Sequence, residues 1–103
     1  MSLDSIEIPG TPVKVEGTKQ LHEIFMFAIS TCQWCKKGKR WLNDNGYAYT
    51  YLDIDTLKLE VKEDLKSSLR KEFNTRLTFP FLIIDRTNFH AGFSSSDWEV
   101  LLS

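Results

Sequence analysis

Residues Glu23 to Asn45 read EIFMFAISTCQWCKKGKRWLNDN, and the fold is decided there. From Glu23 to Ile29 the apolar run is almost unbroken, the pattern of a central strand covered on both faces. Ser30-Thr31 interrupts it, and Cys32-Gln33-Trp34-Cys35 follows at once. Beyond that point Cys35, Gly38 and Leu42 fall on one face of a helix, with Trp41 beside them. Two cysteines therefore sit where a strand becomes a helix N-terminus. The unpaired N–H groups and the dipole of such a terminus favour a thiolate over a thiol, and Cys32 gains most. Lys36, Lys37, Lys39 and Arg40 add positive charge in the same direction, screened in part by solvent. Cys35 lies one turn further in, less exposed and close enough to close a small disulfide ring.

Around this stretch, 103 residues with 42% apolar content support one domain with one core. A formal net charge of −1 gives no global signal for nucleic acid or membrane binding, and the basic residues after Cys35 form only a local patch. No apolar run approaches membrane-spanning length, and Met1-Ser2-Leu3-Asp4 lacks the charged and apolar regions of a secretory signal. A soluble, cytoplasmic monomer is expected. In that compartment a cysteine pair is catalytic or metal-binding rather than structural. Zinc needs two further ligands, and only His22 and His90 remain, with no short-range pairing between them, so no metal is expected.

Residues 1–19 carry Pro9, Gly10, Pro12 and Gly17, too much punctuation for a helix, and read as an extension draped over a domain of residues 20–103. Val13 and Val15, alternating with Lys14 and Glu16, allow a short edge strand within it. After the cysteine helix, Asn45-Gly46 supplies a stop, and Tyr47 to Ile54 alternates as a strand. Strand, helix, strand implies a right-handed βαβ unit with two parallel strands. Asp55 or Thr56 is the expected cap of a helix of about 17 residues carrying Leu57, Val61, Leu65, Leu69 and Phe73 every fourth position. Phe81 to Ile84 and a short strand near Phe89 to Ala91 flank the turn residues Asp85-Arg86-Thr87-Asn88, which predicts an antiparallel hairpin. Ser96-Asp97-Trp98-Glu99 reads as a capping box for a last helix that buries Trp98, Leu101 and Leu102. The expected architecture is α/β: a four-stranded mixed sheet flanked by three helices, βαβ then ββα with a connecting helix.

Three motifs in register carry a family resemblance. Cys32-Gln33-Trp34-Cys35 at the strand-to-helix junction, Thr78-Phe79-Pro80 before a buried strand, and Gly92-Phe93 before a capped helix together resemble a glutaredoxin, within the thioredoxin fold, over roughly residues 20–103. The resemblance implies a nucleophilic Cys32 and a resolving Cys35. It implies a cis-proline at Pro80 that sets the backbone of Phe79 against the cysteines. Gly92, Phe93 and Ser94, with Ser95, Ser96 and Asp97, match the segment that holds a glutathione carboxylate in the family. Trp34, Lys36 and Thr78 complete the implied substrate and thiol contacts, and Trp34, between the cysteines, is expected to face a partner.

The chain also departs from the family pattern. Gln33-Trp34 replaces Pro-Tyr, Ile29 stands where a Lys or Arg is common, and Ala91 replaces the first of two glycines. Ala91-Gly92-Phe93 resembles instead the glutaredoxin-like redoxins that serve ribonucleotide reductase. The implied activity is reduction of protein or small-molecule disulfides through the redox-active Cys32–Cys35 pair, with no other cofactor. Its electrons would come from glutathione, another small thiol such as coenzyme M, or a flavin reductase. The alternative implied by some dithiol glutaredoxins is an iron–sulfur cluster carrier, with Cys32 and small thiols holding a cluster across a dimer. Such a protein is brown on purification, whereas a pure oxidoreductase is colourless.

Overall fold

A run of Ile, Phe, Met, Phe and Ala has no polar face to offer water. In the computed structural model, which describes residues Met1–Ser103, this run is strand β2 (Ile24–Ala28), with all five residues buried. Strands β1 (Val13–Val15), β3 (Tyr49–Asp53), β4 (Phe81–Ile84) and β5 (Asn88–Ala91) join it in a five-stranded sheet ordered β1-β3-β2-β4-β5. β3 runs parallel to β2, with Phe25 opposite Thr50, and the remaining neighbours are antiparallel. Parallel neighbours need a crossover, and helix α1 (Gln33–Asp44) supplies it. Helices α2 (Leu59–Phe73) and α3 (Ser95–Leu102) complete an α/β architecture with a mixed sheet and three helices.

The sheet has five strands rather than four. Val13, Lys14 and Val15 pair with Tyr51, Thr50 and Tyr49, covering backbone groups on the outer edge of β3 that would otherwise be open. Alternation along β3 divides the apolar side chains between two faces. Tyr49 packs with Met26, Cys35, Leu42 and Trp98 on the side of α1 and α3. Leu52 packs with Phe27, Leu69 and Phe73 on the side of α2, where Leu3 and Ile6 are also buried. Leu3 reaches that face from a 3₁₀ turn, Leu3–Ser5, whose chain is tied to the β4–β5 turn by Leu3 N–H donating to the Arg86 carbonyl at 2.7 Å. Arg86 pairs in turn with Asp4 and, at 2.8 Å, with Glu23.

Two helix starts differ from the sequence reading. α2 begins at Leu59 with Lys58 as its cap, because Asp55 and Thr56 belong to a 3₁₀ turn, Ile54–Thr56, and their side chains are engaged elsewhere. Asp55 accepts from Ser30, and Thr56 Oγ1 donates to the Asp53 carbonyl at 2.6 Å. Of the fourfold stripe on α2, Leu65, Leu69 and Phe73 are buried while Val61 is 37% exposed. A step of four residues overshoots a helical turn by about 40°, so the stripe rotates off the core face toward its N-terminal end. α3 is capped by Ser94, not Ser96: Ser94 is extended (φ −144°) and its hydroxyl accepts from Asp97 N–H at 3.3 Å. Ser96 lies inside the helix.

Gly38 fixes how closely α1 meets α3. A Cβ there would stand 2.8 Å from the Trp98 ring and 3.4 Å from Pro80, so only a glycine admits that approach. Gly46, at φ +75°, turns the chain out of α1 toward β3.

Candidate active site

Cys32 is the N-cap of α1. Its backbone is extended (φ −78°, ψ 122°), its carbonyl accepts from Lys36 N–H at 3.1 Å, and its Sγ accepts from Cys35 N–H at 3.3 Å. The turn that presents it is fastened from below: Ser30 donates its backbone N–H to Asp55 at 2.9 Å and its hydroxyl to the same carboxylate. These bonds hold the Asp55 carboxyl below its ordinary range, the hydroxyl bond contributing most. Cys35 points inward from the first turn of α1 and is fully buried, with Sγ accepting from Ile29 N–H at 3.5 Å. Burial, and then the neighbouring Cys32 sulfur, push its thiol up to about 12, against the smaller opposing effect of the Ile29 N–H. Both cysteines are unbridged. The result is one sulfur half-buried at the helix end and a second sealed beneath it.

Beside the pair, Trp34, Thr78, Phe79, Gly92 and Phe93 line a cleft of about 200 Å³. The Phe79–Pro80 peptide bond is cis. Gly92 adopts φ +87° and donates its N–H to the Pro80 carbonyl at 2.9 Å, which joins two walls of the cleft. Trp34 is 56% exposed, and Lys37 Nζ lies 4.4 Å from its ring centroid. Pro80 is buried behind the cleft, against the site of Gly38. Two further candidates, besides Pro80, lie outside its lining. Lys36 is exposed and in no ion pair, and the Ser94 hydroxyl is occupied in capping α3. Lys39 forms an ion pair with Asp53 at 2.9 Å over the Tyr51 ring. No three His, Cys, Asp or Glu side chains converge as a metal would require.

Sequence reasoning missed two residues that shape this site. Asp55 reads as a helix cap, but it anchors Ser30 from 25 positions away, and no local pattern signals such a bond. His90 reads as an ordinary strand residue, yet its ring meets the Gly92 carbonyl at 2.8 Å.

Comparison with known proteins agrees with the geometry. The family model for glutaredoxin matches residues 23–89. A glutaredoxin 1 of Rickettsia bellii is 32% identical over 74 residues, covering 70% of this chain and 69% of the relative. Among solved structures, a glutaredoxin from Methanosarcina mazei superposes with a TM-score of 0.76 at 30% identity, covering 89% of this chain and 87% of the other. A methanoredoxin from Methanosarcina acetivorans superposes at 0.66 with 29% identity, covering 79% and 84%. The chain therefore belongs to the glutaredoxin family, a thioredoxin-fold protein with a thiol–disulfide redox role at Cys32 and Cys35.

Proposed function

We propose that this glutaredoxin is a monomeric, cytoplasmic oxidoreductase that reduces protein or small-molecule disulfides, with Cys32 attacking and Cys35 resolving. The observation that carries this reading is the asymmetry of the two sulfurs: Cys32 is accessible at a helix N-terminus, and Cys35 is buried as a thiol. In the first step the Cys32 thiolate attacks one sulfur of a substrate disulfide. The other sulfur departs as a thiolate and is protonated by solvent. In the second step Cys35 gives up its proton and attacks Cys32 Sγ, which releases the second substrate thiol and leaves the Cys32–Cys35 disulfide. Two electrons have then passed to the substrate. Two small thiols, or a flavin reductase, return the pair to the reduced state.

The cleft beside Cys32 suits a thiol-bearing chain. Trp34, Phe79 and Phe93 offer apolar surface, and Thr78 with the Gly92–Phe93 backbone offers polar groups. Ala91 in place of a glycine, and serines after Phe93 where the family often has an acid, support a donor other than glutathione, such as coenzyme M or a reductase.

The test is a pair of substitutions. Cys32→Ser abolishes disulfide reduction, because serine is a far weaker nucleophile at neutral pH. Cys35→Ser retains attack but loses resolution, so intact mass shows substrate accumulating as a mixed disulfide on Cys32. An adduct on Cys35 in the first variant, with none on Cys32 in the second, reverses the roles. Wild-type protein is then supplied with glutathione, coenzyme M or a thioredoxin-type reductase. Saturation by glutathione at about millimolar concentration, with no rate from the others, overturns the donor assignment.

A further inference from the structure

Resolution asks a fully buried sulfur to become an anion. Cys35 must shed its proton before it attacks Cys32, and burial opposes that loss. The same charge returns in the other direction, because Cys35 departs as a thiolate when a donor thiol attacks Cys32 of the disulfide. From the strand side the sulfur receives one hydrogen bond, from Ile29 N–H at 3.5 Å. Nearby, attack and resolution leave one ion pair without a task, Lys39 with Asp53.

Lys39 follows Cys35 by four residues in α1, so the two side chains rise from neighbouring turns on one helix face. Alternation along β3 sends Asp53 toward that face, together with Tyr49 and Tyr51. In the parallel β2–β3 register Asp53 stands opposite Ala28, one residue before the Ile29 whose N–H meets the Cys35 sulfur. Lys39 Nζ lies 2.9 Å from Asp53 Oδ1 and 4.0 Å from the Tyr51 ring centroid, and the two charged side chains are only 21% and 18% exposed. A lysine on an open surface samples many rotamers, whereas this one is drawn back onto the sheet by a carboxylate and an aromatic face. Its ammonium is therefore held where water screens it less than at an open surface, and its charge favours the Cys35 thiolate. The Cys32 sulfur acts the other way. Asp55, the next carboxylate along, is committed to Ser30. Tyr49, packed against Cys35 from β3, donates its hydroxyl to Asn43, and Met26, Ala28, Leu82 and Trp98 in the same cluster are uncharged.

We infer that Lys39 is a positioning residue of the resolution step: Asp53 and the Tyr51 ring hold its ammonium on the side of the buried sulfur, where it steadies the negative charge that Cys35 carries as it attacks Cys32 or leaves it. This rests on the oxidoreductase reading above. In resolution the Cys35 S–H bond breaks and its proton passes to solvent. The Cys35–Cys32 bond forms, and the bond from Cys32 to the substrate sulfur breaks, with its electron pair leaving on that sulfur. Lys39 and Asp53 exchange no proton in the step.

The test uses the reduced full-length protein and less than one equivalent of dithiobis(nitrobenzoic acid), whose released thiolate is yellow. Attack by Cys32 liberates a first coloured thiolate and resolution by Cys35 a second, so stopped-flow absorbance reads the two steps apart. Lys39→Met keeps the stem and removes the charge, while Lys39→Arg keeps the charge and a donor for Asp53. The Met protein is expected to slow the second phase about five- to tenfold with the first within about twofold, and to displace the pH dependence of the second phase upward by up to about one unit. The Arg protein stays within about twofold of wild type in both phases. Lys39→Gln takes the place of the Met variant if that chain does not reach the wild-type circular dichroism spectrum. The inference is overturned if loss of the charge slows both phases alike, as a loosened helix does, if it leaves the second phase within about twofold, or if Arg fails as Met does. A wild type that releases only the first thiolate removes Cys35 from the reaction and takes the inference with it. Release of both, with no effect of Lys39, overturns the inference and leaves the oxidoreductase reading standing.

Discussion

A single helical turn separates Cys32 from Cys35, yet water reaches only the first of them. With the Cys35 thiol pushed up to about 12, its thiolate fraction near neutral pH is on the order of one part in 10⁵. Iodoacetamide is therefore expected to modify Cys32 selectively. A raised thiol pKa favours the neutral form, so any reaction at Cys35 grows about tenfold for each unit of rising pH. Peptide mapping after timed alkylation measures both rates, and equal rates across about pH 5 to 9 contradict the burial asymmetry. The position of the cysteines was legible because a buried strand, a polar break and a helical face follow one another within a few residues. The commitments of Asp55, Ser94 and His90 were not. A histidine, a serine or an aspartate has several local uses, and which one it serves depends on the groups that packing brings opposite.

At the scale of elements, the Cys32 turn has its own fastener in the Asp55–Ser30 contact. The Asp55 carboxyl is held below its ordinary range by the Ser30 hydroxyl first and the Ser30 N–H second. Its folded pKa thus lies below the unfolded value of about 3.9. Its contribution to stability is complete above that value and is lost as pH falls through the folded one. Asp55→Ala is expected to lower the melting temperature modestly at about pH 7, since the carboxylate is solvent-exposed, and to make a smaller difference at about pH 2. Thermal melts of both proteins at both pH values check this, and an equal loss at the two removes the ionised contact as its cause. Helix α1 could be read from its sequence because Cys35, Gly38 and Leu42 all face one core. The start of α2 could not, because Asp55 and Thr56 are drawn into a 3₁₀ turn by bonds to Ser30 and Asp53 that no local pattern announces.

For the whole molecule, the two faces of the sheet make two cores, and the first residues of the chain close one of them. Leu3 is fully buried beside the α2 face. Leu3→Ala is expected to cost about 2 to 5 kcal/mol, the range for truncating a leucine in a core. Urea unfolding monitored by far-ultraviolet circular dichroism measures it, and a loss below about 0.5 kcal/mol detaches Leu3 from the core. Nothing near Leu3 in sequence announces this role, since its backbone is tied to Arg86 at the far end of the chain. The strand pairing around β2 has a further consequence, for amide exchange. β2 has a strand on either side and no exposed residue, whereas β1 and β5 each have one free edge. Native-state deuterium exchange should find β2 among the last amides to be labelled and β1 among the first, and the reverse order would contradict this pairing. As the protein breathes, its margins open while the strand leading into Cys32 stays paired, so the thiols keep their footing through every fluctuation short of global unfolding.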